Sequence, residues 1–319
     1  MNQPVPSPSP SPSPEPDRST TLGPGVWGVL ATPFRGPHRE VDHHSLRSEV
    51  CFYKRIGAAG VVALGVFGEA TSLSLAEQAE VISTVTDASG GLPVVAGLSP
   101  RSTAPLLEQA KLLRDAGGDA LVAVMAQVNS ADPDRARRNF DALHEACGLP
   151  VVVQDYPVAS GVAIRPEALA ALVSKCPYAA AVKCEAPPTA VAISVLTRAL
   201  AVPSFGGLGG VGLIDELAAG AAGAMTGFSY PEGLIAAIRA YASGGFAAAR
   251  EAFSQWLPIA NFENQPGIGL AIRKETLRRR GLIAESAVRS PAPDFPPVLE
   301  RLLENHLSAI QIPADSLSP

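Results

Sequence analysis

Eight short runs of apolar, mostly β-branched residues recur along this chain, and most of the stretches between them carry a helical signal. They are Val26 to Ala31, Val61 to Leu64, Val94 to Ala96, Ala120 to Val124, Val151 to Gln154, Ala179 to Lys183, Val202 to Phe205 and Ala224 to Thr226. Most are spaced at about thirty residues, tightening toward the end, which is the length of a βα unit. Strands buried on both faces read as continuous apolar runs, and parallel neighbours need a crossover, usually a helix, to connect them. The pattern therefore predicts an α/β chain of eight βα units closed into a parallel barrel, with a doubly wound open sheet as the competing architecture.

Helix punctuation agrees. Ser74-Leu75-Ala76-Glu77 is a capping box, and Asp132-Pro133 puts an N-cap before a proline at the first helical position. Gly57, Gly117, Gly148 and Gly281 fall where a left-handed residue ends a helix. After the eighth run the chain carries helical pattern from about Pro231 to His306, more than one closing helix requires. Residues 25–230 are read as the barrel, 231–308 as its final helix with a helical appendage, and 309–319 as a flexible tail. Residues 1–24 hold the alternating tract Pro6 to Pro14, which cannot pack, and are read as a disordered, polyproline-like tail.

With 319 residues, 47% of them hydrophobic, the chain can bury a large core. A formal charge of -5 offers no broad attraction to nucleic acid or anionic lipid, and no apolar run approaches the roughly 18 residues that span a bilayer. Cys51, Cys147, Cys176 and Cys184 stand apart with no C-x-x-C spacing, and the first residues lack a signal peptide's basic and apolar regions. A reduced, cytoplasmic protein is the expectation. The five histidines, His38, His43, His44, His144 and His306, fall on no strand end and show no metal-ligand spacing, so neither a metal nor a cofactor is expected.

In a βα barrel the reacting groups sit at the C-terminal strand ends. Lys183 ends the sixth run and is the sole lysine or arginine at the end of any of them. An amine there is a candidate nucleophile for a ketone carbonyl, the alternative being a lysine that reaches bulk water at the rim. Glu185, two residues on, shares its face if the strand continues, with Cys184 turned away. A carboxylate so placed can take a proton from carbon next to an iminium, or can be a plain ion-pair partner.

Gly65-Val66-Phe67-Gly68 follows the second run as a tight turn whose backbone N–H groups could converge on a carboxylate. The fifth run ends Gln154-Asp155-Tyr156, supplying an amide, an acid and a phenol, of which any could face the cavity. Gly207-Leu208-Gly209-Gly210-Val211-Gly212 matches G-x-G-x-x-G, yet it follows the seventh run and is better read as a loop lining the barrel mouth than as a dinucleotide site. The cluster from Arg273-Lys274 to Arg278-Arg279-Arg280 reads most simply as solvated cations favoured by a helix C-terminus.

These features resemble the dihydrodipicolinate synthase and N-acetylneuraminate lyase family over about Gly25 to Gly281. The resemblance rests on Thr32-Pro33-Phe34, Gly68-Glu69-Ala70, Leu73-Ser74 with Glu77, Pro157 with Gly161, and Val182-Lys183. It implies a (β/α)8 TIM barrel with a C-terminal helical appendage, whose Lys183 forms a Schiff base with pyruvate or another 2-oxo acid, usually in a homotetramer. The departures are specific. Val66 and Phe67 replace the two threonines of the turn, Gln154 the strand-five tyrosine, a residue near Val128 the relay tyrosine, and one near Ala159 the dicarboxylate arginine. Glutamine has no ionisable proton, so the synthase relay cannot run as usual.

Gln154-Asp155, Lys183-x-Glu185 and Phe262-Glu263-Asn264 are similar instead to the branch that dehydrates 2-keto-3-deoxy sugar acids. That similarity implies Lys183, Glu185 and Gln154 at the reacting centre, with Gly65, Val66, Phe67, Gly68, Asp155, Tyr156, Gly207 and Leu208 around the 2-oxo acid. The alternatives are aldol cleavage or condensation of a pyruvate-derived keto acid, and a barrel that binds a ligand without catalysis. The expected partners are a small-molecule substrate and further copies of the chain, as tetramer or dimer.

Overall fold

Main-chain hydrogen bonds close the eight apolar runs into a barrel. The computed structural model describes residues 21–100 and 102–311. In chain order the elements are β1 (Gly25–Val29), a small hairpin β2 (Phe34–Arg35) and β3 (Glu40–Val41), α1 (His43–Arg55), β4 (Gly60–Ala63), α2 (Leu75–Ser89), β5 (Val94–Gly97), α3 (Thr103–Gly117), β6 (Leu121–Gln127) and α4 (Pro133–Cys147). There follow β7 (Val151–Asp155), α5 (Pro157–Ser160), α6 (Pro166–Val173), β8 (Ala179–Cys184), α7 (Thr189–Ala199), β9 (Ser204–Gly206), α8 (Leu213–Ala218) and β10 (Gly223–Thr226). The chain ends in α9 (Pro231–Phe253), α10 (Leu257–Glu263), α11 (Gly269–Arg279) and α12 (Glu300–Ser308). All barrel pairs are parallel, and β1 bonds both β4 and β10, so the sheet has no edge and the open-sheet alternative is excluded.

Alternation along each strand makes two cores. Trp27, Val62, Val95, Met125, Val152, Ala181, Phe205 and Met225 fill the barrel interior. Val61, Val94, Val124, Val153, Val182 and Ala224 face the surrounding helices. Gly60 makes room for Trp27, because a Cβ there would stand 2.2 Å from the indole ring. The barrel begins earlier than the sequence suggested: Leu22 is buried in the interior cluster and its N–H donates to the Ala180 carbonyl at 3.0 Å. Ile310 likewise packs on the core and Gln311 N–H reaches Gln255, so the chain is still docked past residue 308. The Pro/Ser tract and the last eight residues lie outside the described residues.

The capping box at Ser74 and the Asp132 cap form as expected. Gly57, Gly148 and Gly281 take positive φ, but Gly117 stays in α3 and it is Gly118 that turns left-handed (φ 53°).

The larger correction concerns the C-terminal cations. Arg273 and Lys274 are 8% and 0% exposed, because they sit in the early turns of α11, on the side that packs against the barrel. Lys274 Nζ pairs with the Glu69 carboxylate and donates to the Ala287 carbonyl at 2.9 Å. Phe34 lies between Lys274 and Arg289, at 4.2 and 4.5 Å from its ring centroid. The Arg289 N–H also donates to Glu69 (2.8 Å), and its guanidinium holds Glu77. The hairpin aromatic thus seats two cations that tie the segment after α11 to the glycine turn.

Beside this cluster Glu49 of α1 accepts the Ala31 N–H at 3.1 Å, and burial pushes its carboxyl up to about 8 against the opposing pull of that N–H and of Lys274. The unfolded chain releases the same proton near 4.5. Between those values the folded protein binds more protons, so this group's contribution to stability is lost as pH rises from about 4.5 to about 8. Glu49→Gln keeps the acceptor for Ala31. Thermal melts from pH 5 to pH 9 should show the wild type losing stability relative to the variant, and parallel curves would refute the assignment.

Candidate active site

The mouth of the barrel is built from the inward-facing residues at the C-terminal strand ends. On β7 and β8 the alternation that turns Val152 and Ala181 inward also turns Gln154 and Lys183 inward. β8 proper ends at Cys184, yet the Glu185 N–H donates to the Asp155 carbonyl at 2.8 Å and extends the ladder by one residue. Glu185 therefore keeps the face of Lys183, while Cys184 packs into the outer core.

Lys183 and Glu185 are 5% and 6% exposed, and Lys183 Nζ stands 3.1 Å from Glu185 Oε2. Gln154 Nε2 donates to the same oxygen at 2.6 Å, and the Leu208 N–H approaches Oε1 at 3.5 Å. The carboxylate is thus fixed between an amine, an amide and a loop N–H. Gly207 is what admits it, since a Cβ at that position would lie 2.4 Å from Glu185 Cγ. The G-x-G-x-x-G stretch is accordingly a loop at the mouth, with Gly209 N–H bonded to Thr226 Oγ1 of β10 (2.8 Å).

Asp155 does not join this group. Strand alternation sends it outward beside Cys184, where burial, and secondarily the charge of Glu185, raises its carboxyl to about 6 and leaves Oδ1 without a partner. Tyr156 is half-buried, and burial first, then the charge of Glu185, push its phenol above the usual range against the opposing pull of Arg273.

The Gly65 turn forms a short 3-10 segment over Val66–Gly68. Gly68 and Glu69 N–H groups close back onto Gly65 and Val66 carbonyls, and among the described residues the Val66 and Phe67 N–H groups at its start have no such main-chain partner. Left-handed backbone falls on Leu64 (φ 58°) and Glu69 (φ 52°) rather than on the glycines. Gly68 is needed for closeness instead: a Cβ would meet the Leu30 carbonyl at 3.2 Å, and its own carbonyl accepts Thr32 Oγ1 at 2.6 Å. Beside the turn lies a cavity of about 210 Å³ among the ends of β4, β5 and β6, with Ser99, Gln127 and Ala159 in its wall. Val128 is buried in the outer core, so no reaching side chain stands there.

The sequence reading missed Arg273. Its guanidinium lies 4.0 Å above the Phe67 ring centroid and its Nε is 3.4 Å from Glu263 Oε2, which also accepts the Ser229 N–H at 3.1 Å. The signal available was position: Arg273 and Lys274 follow Ala271-Ile272 near the start of α11, where a helix C-terminus offers no reason for cations. Among the described residues no group of three or more metal-ligating side chains occurs, and no helix is long and apolar enough to cross a membrane.

This chain matches the model of the Dihydrodipicolinate synthetase family over residues 24–307. It is 30% identical over 288 residues to an L-2-keto-3-deoxyarabonate dehydratase of Azospirillum brasilense, an alignment spanning 88% of this chain and 92% of that one. It is 30% identical over 249 residues to a 4-hydroxy-tetrahydrodipicolinate synthase of Methanopyrus kandleri, covering 74% and 79%. A solved dihydrodipicolinate synthase from Rhodopseudomonas palustris superposes with a TM-score of 0.83 at 29% identity, covering 92% of this chain and 100% of that one.

The seat of Glu185 is open to a direct test. Gly207→Ala adds one methyl group that the carboxylate side chain, rather than the backbone, must yield to. The variant should remain folded by circular dichroism and lose at least about tenfold in turnover if the seated carboxylate takes part in proton transfer. Unchanged turnover would show that the position of Glu185 is not critical.

Proposed function

This chain belongs to the Dihydrodipicolinate synthetase family, a family of lyases, and from that premise we propose that it is a Schiff-base lyase that dehydrates a 2-keto-3-deoxy sugar acid. The observation that carries the reading is the shared oxygen of Glu185, 3.1 Å from Lys183 Nζ and 2.6 Å from Gln154 Nε2. A synthase-type relay needs an ionisable hydroxyl at position 154, and the amide there can only donate or accept without releasing a proton. The carboxylate is the group left to move protons beside the lysine.

In this mechanism the free N–H groups of Val66 and Phe67 hold the substrate's 1-carboxylate, which sets the 2-oxo carbon toward Lys183. Transfer of one proton from Lys183 to Glu185 gives the amine, which attacks C2, and loss of water yields the iminium. Glu185, ionised again, takes a proton from C3 and forms the enamine. The enamine expels the hydroxyl from C4, with the proton on Glu185 returned to the leaving oxygen as water. Hydrolysis of the resulting conjugated iminium consumes one water and frees Lys183, so the net change is loss of a single water from the substrate. Gln154 keeps the carboxylate oriented through these steps. Two relatives differ in name, one a dehydratase and the other a synthase, and replacement of the tyrosine by Gln154 favours the former chemistry for this chain.

Borohydride reduction in the presence of pyruvate, followed by peptide mass analysis, should place the adduct on Lys183, and Lys183→Ala should abolish it. Glu185→Gln should still be trapped yet lose turnover by about a hundredfold or more on 2-keto-3-deoxy acids. An adduct on another lysine would refute the first assignment, and normal turnover the second. Release of pyruvate and a shorter aldehyde, instead of a dehydrated product that keeps all the substrate's carbons, would establish aldol cleavage over dehydration.

A further inference from the structure

Arg273 is the most conspicuous group that the proposed mechanism leaves unused. It reaches the mouth from α11, outside the barrel, through space that Gly227, just beyond β10, leaves open. A Cβ on Gly227 would stand 2.8 Å from Arg273 Nη1 and 2.8 Å from the Phe67 ring, and one on Gly209 would stand 3.5 Å from Nη2. Gly227 falls in the inward register of β10, two residues beyond Met225 of the interior core, so the guanidinium lies in the barrel's own top layer.

Its face is taken by Phe67, at 4.0 Å, which leaves the N–H edges free to bond in the plane. Only Nε is engaged, by Glu263 at the long distance of 3.4 Å, and among the described residues neither Nη group has a hydrogen-bond partner. Glu263 Oε1 is likewise unpartnered. The pair offsets the buried charge but leaves the forked edge of the guanidinium, beside Gly227 and Gly209, without a partner among the described residues. On the other side of the glycine turn the cavity wall offers neutral groups, Ser99 and Gln127, with the small Ala159.

We infer that Arg273 is the residue that recognises the far end of the substrate, and that the preferred substrate is a 2-oxo acid carrying a second carboxylate there. A planar carboxylate satisfies both Nη groups at once with charge-assisted bonds, which a terminal hydroxyl does not. Phe67 acts as the platform that sets the guanidinium plane. The inference rests on the reading of Lys183 as the imine lysine, since that fixes the other end of the molecule.

The probes are 2-oxoadipate against 2-oxohexanoate and 2-oxoglutarate against 2-oxopentanoate, pairs that differ in whether the chain ends in carboxylate or methyl. With borohydride and the wild-type protein, half-maximal trapping should need at least about tenfold less of the diacid in one pair or both, the gain of a charge-assisted contact. Arg273→Met should erase that preference and Arg273→Lys should keep part of it. Gly227→Ala, which displaces the guanidinium while leaving Arg273 in place, should weaken it as well. Equal trapping of diacid and monoacid by the wild type in both pairs, or a preference that survives both Arg273→Met and Gly227→Ala, overturns the inference. Calorimetric titration with the same acids separates it from the lysine assignment. A diacid preference without any adduct refutes the imine alone, and an adduct without the preference refutes the role of Arg273 alone.

Discussion

A cation inside an apolar barrel persists only where a carboxylate stands within reach, and this requirement organises the upper half of the molecule. Three such pairs occur at or beside the mouth: Lys183 with Glu185, Lys274 with Glu69, and Arg273 with Glu263. Removing one partner from a buried pair typically costs about 3–5 kcal/mol, so each pair pins the elements that supply it. The first joins two positions of one strand, whereas the second and third join the glycine turn and α10 to α11. The C-terminal helices are therefore part of the site's construction, and Glu69 serves as a strut for the turn that offers the Val66 and Phe67 N–H groups.

Around the barrel axis three glycines are explained by close approach rather than by backbone freedom. Gly207 yields its Cβ space to Glu185, Gly227 to Arg273 and Phe67, and Gly60 to Trp27. In each case a position in a strand or just beyond its end gives up a side chain so that a larger one from elsewhere can take the space. The left-handed strain of the turn sits on Leu64 and Glu69, where neighbouring contacts hold it: the Glu69 carboxylate is bound by Lys274 and by the Arg289 N–H.

Much of this was legible in the residues. Continuous apolar runs at βα spacing specify the barrel, and period two places Glu185 beside Lys183, because both depend on local geometry alone. The same alternation, applied to β7, would have sent Asp155 outward with Cys184 once Gln154 was set inward. It was not decisive there because the sequence does not show where a strand stops and its parity ends. Arg273 and Lys274 were misread as solvated because cations next to Arg278, Arg279 and Arg280 merge into one basic stretch. What separates them is the partner each meets, Glu263 on the preceding helix and Glu69 in the distant glycine turn, and contacts between different elements leave no periodic trace. Leu22 was missed for a related reason: one apolar side chain after a long Pro/Ser tract has no pattern to belong to, yet it closes the barrel floor.

Replacing a phenol by an amide at position 154 changes what the site can do with protons. A phenolic hydroxyl can carry a proton between a substrate and a second group, while Gln154 can orient Glu185 but not exchange with it. In the proposed reaction the proton leaves C3 and arrives at the hydroxyl on the adjacent carbon C4, so a single carboxylate that stays in place can serve both. Condensation with a second carbonyl compound asks for more, since the proton must be delivered to an oxygen on another molecule that enters later. A fixed carboxylate locked by an amine, an amide and a loop N–H is suited to the first task and poorly suited to the second. On the proposed reading Gln154 and Glu185 therefore belong to one arrangement rather than two, and the inferred role of the Arg273 edge fits a single extended substrate lying across the mouth.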